Sequence, residues 1–190
     1  SSITLINGRS GSGKTTLIHC LAGLIVPQSG CIFFNSSNIC EYSDDERAKY
    51  RLEQTGVVYQ SFNFLPSLSI RENIHLPAIL TGQTRKIYDN FCNELSEELG
   101  IINTLDQAPN SVSGGELQRA ALVRALMNRP KIIFADEPSG NLDTANRDIL
   151  FKMFIKIKEM RKTSIVFTSH DPEAKDIADQ IIELDDGRLI

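Results

Sequence analysis

Apolar residues first gather in a short run, Ile3 to Asn7, that stops at a glycine loop, and this pattern predicts a buried strand. Leu17, Ile18, Leu21 and Leu24 then recur at helical spacing, with Gly23 near the end of the predicted helix. GCIFFN (30–35) and GVVYQ (56–60) each predict a strand. Between them, SDDERAKYRLEQ opens with Ser43 and Glu46 at the spacing of a capping box and predicts a surface helix. From Ser61 to about Ser111 the β pattern almost disappears. SIRENIHLPAIL opens with another capping box, Ser69 and Glu72, and 85–99 reads as helical. Beyond it the pattern predicts a helix from Leu117 to Met127, a strand in KIIFADE and a long helix from about Thr144 to Arg161. A strand in SIVFTSH, a short helix near 173–179 and a terminal strand pair in IIELDDGRLI follow.

Strands alternating with helices predict an α/β fold, a mostly parallel central sheet with helices on both faces. The helical stretch reads as an insert. The expectation is one domain over 1–190, with a core formed by 1–60 and 113–190 and a helical subdomain at 61–112. No internal repeat or low-complexity segment interrupts it.

Composition changes this picture little. A net charge of −4 argues against a nucleic-acid protein held by a broad basic face. Cys20, Cys31, Cys40 and Cys92 have neither C-x-x-C spacing nor a histidine partner set, so buried apolar cysteines in a reducing compartment are expected. No apolar run reaches the ~20 residues of a membrane span, and no signal peptide is visible, which reads as a soluble cytosolic chain.

The chemistry begins at Gly8-Arg9-Ser10-Gly11-Ser12-Gly13-Lys14-Thr15, which satisfies G-x-x-x-x-G-K-[ST] between a predicted strand and a predicted helix. The glycines let backbone N–H groups wrap a β-phosphate, and the helix N-terminus adds its positive end. Lys14 reaches the β- and γ-phosphates as a point charge, Thr15 offers a hydroxyl to Mg²⁺, and Thr16 stands beside it. The loop alone leaves a small-molecule kinase, a GTPase and an ATP-driven motor open.

In IIFADEP, Asp136 at the end of a strand is suited to hold a Mg²⁺-bound water, and Glu137 to polarise the attacking water as general base. His170 also ends a strand, where open α/β sheets bind ligands, and is placed to contact a γ-phosphate. Gln60, after GVVY, is placed to reach Mg²⁺ or water. His19 and His75 read as structural.

A second glycine pair lies in NSVSGGELQR (110–119). Ser113 and Glu116 form a third capping box, worth about 1 kcal/mol to the helix it opens. Such a capped N-terminus is also a phosphate site. With this pair the motifs GRSGSGKT, Gln60, VSGGE, IIFADE, SGNLD (139–143) and SH (169–170) stand in the order of ATP-binding cassette (ABC) ATPases, and the chain resembles that family over essentially its whole length. ADEPSGNLD is most similar to the lipoprotein-release and macrolide-export branch.

The resemblance implies a P-loop ATPase that hydrolyses Mg-ATP as a head-to-tail homodimer, or with a paired ABC subunit. Each signature loop would cap the partner's nucleotide, so that Ser113, Gly114 and Gly115 contact its γ-phosphate in trans, and Glu116 and Asp143 are counted among the ATP-binding residues. It further implies a separate membrane-spanning permease docked through the helical subdomain, a cytoplasmic location on the inner face of the membrane, and no nucleic acid. Phe62, Phe64 and Leu65 would pass nucleotide state to the docking surface or form the insert's small core. Val112 and Glu116 depart from the common LSGGQ, and Glu116 adds negative charge. The chain opens SSITLING, so the family's earlier strands and their adenine-stacking aromatic are not expected in it, and its antiparallel β-subdomain is expected to be incomplete. A soluble ABC ATPase of repair or translation, a nucleoside kinase and a non-hydrolysing switch are the alternatives. The first lacks its inserts or second cassette here, and the second has no need of VSGGE and would bring an arginine-rich lid that is not seen. Only turnover would separate the third.

Overall fold

The computed structural model describes all of residues 1–190. Strand β1 (Ile3–Asn7) leads into helix α1 (Lys14–Leu21). A small hairpin, β2 (Phe33–Phe34) and β3 (Ser37–Asn38), precedes helix α2 (Asp44–Gln54) and strand β4 (Thr55–Val58). Helices α3 (Ile70–Leu80) and α4 (Arg85–Glu98) fill the centre of the chain, and α5 (Gly114–Leu126) leads back to strand β5 (Ile132–Ala135). Helix α6 (Thr144–Arg161), strand β6 (Ser164–Thr168), the short helix α7 (Ala174–Ile177) and strands β7 (Gln180–Asp185) and β8 (Arg188–Leu189) complete it.

The main sheet has the order β4-β5-β6-β1-β7-β8, parallel from β4 through β7, with β8 antiparallel on the edge. Both faces are covered, as the alternation of side chains along each strand requires. Ile3, Leu5, Ile133, Ala135, Ile165 and Phe167 point to one face and join the larger core with α5 and α6. Ile6, Phe134 and Val166 point to the other, where Ile18 and Ala22 of the α1 segment meet them. Apolar residues of α3 and α4, among them Ile70, Ile74, Phe91 and Leu95, belong to the same larger core. Because the strands run parallel, β1, β4, β5 and β6 end on one edge, and the loops that follow them converge there.

The capping boxes at Ser43/Glu46, Ser69/Glu72 and Ser113/Glu116 all form and begin α2, α3 and α5. The strand expected over GCIFFN shrinks to Phe33–Phe34, because its only partner is β3 and no strand of the main sheet lies beside it. Phe34 packs edge-on against Tyr50 at 5.2 Å, whereas Phe33 is exposed. The reading of buried cysteines is corrected too, at Cys31 and Cys40 because the thin hairpin they flank covers little. Only Cys92 is buried, Cys20 and Cys40 are half-buried, and Cys31 is exposed. His75 is a core histidine, 3.3 Å from Asp89 and packed at a tilt against the Tyr88 ring, and burial pushes its pKa down.

Candidate nucleotide site

The loop between β1 and α1 is shaped by its glycines. Gly11 and Gly13 have φ of 82° and 99°, the left-handed region in which glycine carries no Cβ penalty. Gly8 is needed for a different reason: a Cβ there would lie 2.2 Å from the carbonyl oxygen of Leu184 on β7. Helix α1 has no side-chain cap and no acidic residue in its first turn. Its first backbone N–H groups and its positive end are therefore left for an anion.

Nine residues line a cleft of about 360 Å³ at this edge: Ser10, Gly11, Gly13, Lys14, Thr15, Thr16, Gln60, Glu137 and His170. None is apolar, which suits a polyphosphate. Gly8 and Ser12 stand behind the cleft, Ser12 buried, and Arg9 is exposed beside it. Lys14 is buried, and its ammonium donates to the carbonyls of Gly8 (2.9 Å) and Arg9 (3.1 Å).

Across the cleft, β5 is followed directly by Asp136, whose Oδ1 accepts hydrogen bonds from Thr15 (3.1 Å) and Thr168 (2.8 Å). Glu137 follows with φ 43°, a strained conformation for a residue with a Cβ, costing of order 1–3 kcal/mol. The Glu137 carboxylate lies 3.7 Å from the Lys14 ammonium and 3.0 Å from the His170 imidazole, and the Glu137 N–H donates to Thr168 Oγ1 at 2.8 Å. Thr168 thus orients both acids. Sequence reasoning missed it, and its one signal is a hydroxyl directly after the apolar run Ile165 to Phe167.

Gln60 is tied to the rest of the molecule through the turn after it. Phe62 and Asn63 both have positive φ, and their carbonyls accept hydrogen bonds from Arg124 of α5 at 2.5 and 2.8 Å. The same guanidinium stacks on Phe64 at 4.6 Å, and burial lowers its pKa. Buried Asn73 of α3 holds the N–H and carbonyl of Leu65. Phe64 joins the margin of the larger core, while Leu65 is exposed.

Ser113, Gly114, Gly115, Glu116 and Asp143 do not line the cleft. Ser113 and Gly114 are exposed at the start of α5, and a Cβ on Gly114 would meet nothing within 4 Å. The Ser113 hydroxyl and backbone N–H hold the Glu116 carboxyl below its usual pKa, so the capped end keeps its negative charge at neutral pH. Gly115 differs from its neighbour. A Cβ there would lie 2.2 Å from Oδ1 of Asn146, whose amide is held by Asp143 (3.0 Å) and Arg119 (3.3 Å). Packing within the chain is itself a reason for this glycine. Asp143 caps α6 through the N–H of Asn146 at 2.8 Å.

Thr15 and Asp136 offer hard oxygen donors side by side, with the Gln60 amide on the same cleft. This set fits Mg²⁺, which takes few protein ligands and keeps several waters.

The ABC transporter family model matches residues 1–140. The lipoprotein-releasing system ATP-binding protein LolD of Xanthomonas campestris pv. campestris is 37% identical over 97% of this chain and 77% of its own length. The bacitracin export ATP-binding protein BceA of Halalkalibacterium halodurans is also 37% identical, over 97% of this chain and 73% of its own. The dimeric structure of MJ0796, a bacterial ABC transporter cassette, superposes with a TM-score of 0.92 at 31% identity, covering 99% of this chain and 83% of that one. A second MJ0796 dimer, in a post-hydrolysis state bound to ADP and Pi, gives 0.86. The chain belongs to the ABC transporter family, and its fold is that of the family's ATPase subunit.

Proposed function

We propose that this subunit hydrolyses Mg-ATP between two cassettes paired head to tail, and that the cycle drives a separate membrane permease of export type. The observation that carries the pairing is the separation of the two anion-binding ends. The phosphate loop lines the polar cleft, while the capped start of α5, with exposed Ser113 and Gly114, lies outside it. A second chain that brought its α5 over the cleft would close the nucleotide from the side that its own chain leaves open. The MJ0796 neighbour is a dimer, and the names of LolD and BceA point to export.

In the proposed mechanism the N–H groups of the loop and first turn of α1 hold the β-phosphate, and Lys14 bridges to the γ-phosphate. Thr15 and Asp136, with Gln60, would hold Mg²⁺, which when bound neutralises charge on the phosphate oxygens. Glu137 accepts a proton from the attacking water as the water's oxygen bonds to γ-phosphorus, and the bond to the ADP oxygen breaks. His170 steadies the Glu137 carboxylate and reaches the γ-phosphate. The core is assigned to 1–60 with 113–190, and the helical subdomain to 61–112.

A cavity of about 640 Å³, larger than the nucleotide cleft, lies between α2, β4, α3 and α5, and we assign permease docking to it. Leu52, Val57, Pro77 and Leu80 make it apolar. Lys49, Arg51 and Arg124 line it, no carboxylate does, and none of these cations has an ion-pair partner within 4.0 Å. It also adjoins Asn63 of the turn that Gln60 opens, so nucleotide state has a short path to it. No helix of the chain is long and apolar enough to cross a membrane, in keeping with a subunit held on the inner face by its permease. Reversing charge with Lys49→Glu, together with Leu80→Glu, should reduce co-purification of the permease by about tenfold or more. Nucleotide titration of the isolated subunit should stay unchanged. Undiminished co-purification would remove the groove from docking.

A further inference from the structure

His170 is exposed, with 70% of its side chain open to solvent, and its polar contact is to Glu137. It sits just past the end of β6, so something beyond its own strand must hold the imidazole in place. Its two chain neighbours are held on the far side. Ser139, two residues after Glu137, donates its hydroxyl to Asp171 Oδ2 at 2.5 Å. Ser169 donates to the same oxygen at 3.3 Å and accepts the Asp171 N–H at 3.1 Å. Ser139 and Ser169 are buried, at 4% and 1% exposure. The other oxygen of Asp171 faces Arg147, in the first turn of α6, at 3.8 Å, and the same guanidinium grips Glu173 at 3.0 Å. The loop that carries the imidazole and the loop that carries the proposed base are thus cross-linked behind the cleft, and both are anchored to α6.

We propose that Asp171 and Arg147 are positioning residues for hydrolysis, which hold His170 on the Glu137 carboxylate without touching nucleotide. The proposal rests on the catalytic reading of Glu137 and His170 given above. Neither Asp171 nor Arg147 lines the phosphate cleft, so their loss acts on geometry rather than on ATP affinity. A misplacement of ~1 Å in a reacting group can cost up to about a hundredfold in rate.

The chain has three histidines, which makes ¹⁵N-histidine NMR of the full chain a direct readout. His170→Ala assigns the His170 signals and, by its ATPase rate, tests the catalytic reading separately: a fully active His170→Ala protein would end that reading. In Arg147→Ala the His170 ring signals should move toward those of a free imidazole while those of His19 and His75 stay. The value of kcat should fall about ten- to hundredfold with KM for ATP within about twofold, and Arg147→Lys should recover part of it. Asp171→Asn, isosteric and still able to accept from Ser139, should shift the same signals if Arg147→Ala does not fold. Unmoved His170 signals in the folded variants, or a loss expressed in KM alone, would overturn the positioning role whatever the rate of His170→Ala.

Discussion

Glu137→Gln is expected to stall hydrolysis by about 10²–10⁴-fold, the usual cost of losing a positioned general base, while leaving ATP binding intact. The amide has the volume of the carboxylate, so the left-handed turn at φ 43° and the bond from the Glu137 N–H to Thr168 are undisturbed. What disappears is the proton acceptor in the cleft and its negative charge, 3.7 Å from Lys14. A carboxylate beside a triphosphate opposes binding, so removing it should keep or improve affinity. An ATP-bound dimer should therefore accumulate. Single-turnover phosphate release and size-exclusion chromatography with Mg-ATP check both halves. Turnover within about threefold of wild type would remove Glu137 from the role of base.

Lys14→Ala should act at the other end of the cycle and abolish nucleotide binding. Lys14 is the one lysine on the cleft, and its buried ammonium is already oriented by the carbonyls of Gly8 and Arg9. Hydrogen bonds to charged groups contribute about 1.5–3 kcal/mol each, and Lys14 is proposed to make such bonds to two phosphates. The alanine variant should fold, because the loop's turn is set by Gly11 and Gly13 and by the close packing of Gly8 on Leu184. Calorimetric titration with ATP is the check, and an unaltered isotherm would contradict the assignment.

Most of what local chemistry dictates is legible in the sequence. The phosphate loop is a contiguous motif, and each capping box is a pair of residues three apart, so neither depends on distant parts of the chain. The parallel sheet follows from alternation of strand and helix. What could not be read is what distant segments contribute to one another. Thr168 joins Asp136 and Glu137 from a different strand, and Arg147 meets Asp171 across a helix and a loop. The groove is a space between four elements and leaves no local pattern. GCIFFN misled because apolar content predicts a strand only where a partner strand exists. Gly115 shows a related limit. In sequence the glycine pair points to an incoming phosphate, but Asn146 packs where a Cβ on Gly115 would lie, so one residue type answers to two demands.

The packing of Asn146 against Gly115 decides how the head-to-tail pairing is best tested. Gly115→Asp would disturb its own chain against Asn146, so the defect belongs at Gly114, where a side chain meets nothing within 4 Å. An aspartate at this first helical position is tolerated by the helix dipole, yet it places a carboxylate against an arriving γ-phosphate, where like charges repel in a desolvated interface. Lys14→Ala and Gly114→Asp proteins should each be inactive alone. Mixed in equal amounts, they form dimers in which one site combines both defects and the other is wholly intact. With random pairing and independent sites, the mixture should regain about a quarter of wild-type ATPase activity. Wild type mixed with each variant establishes that one intact site turns over, and light scattering establishes that dimers form. Recovery on mixing is the predicted result; no recovery, with both controls satisfied, would contradict a signature that serves the partner's nucleotide.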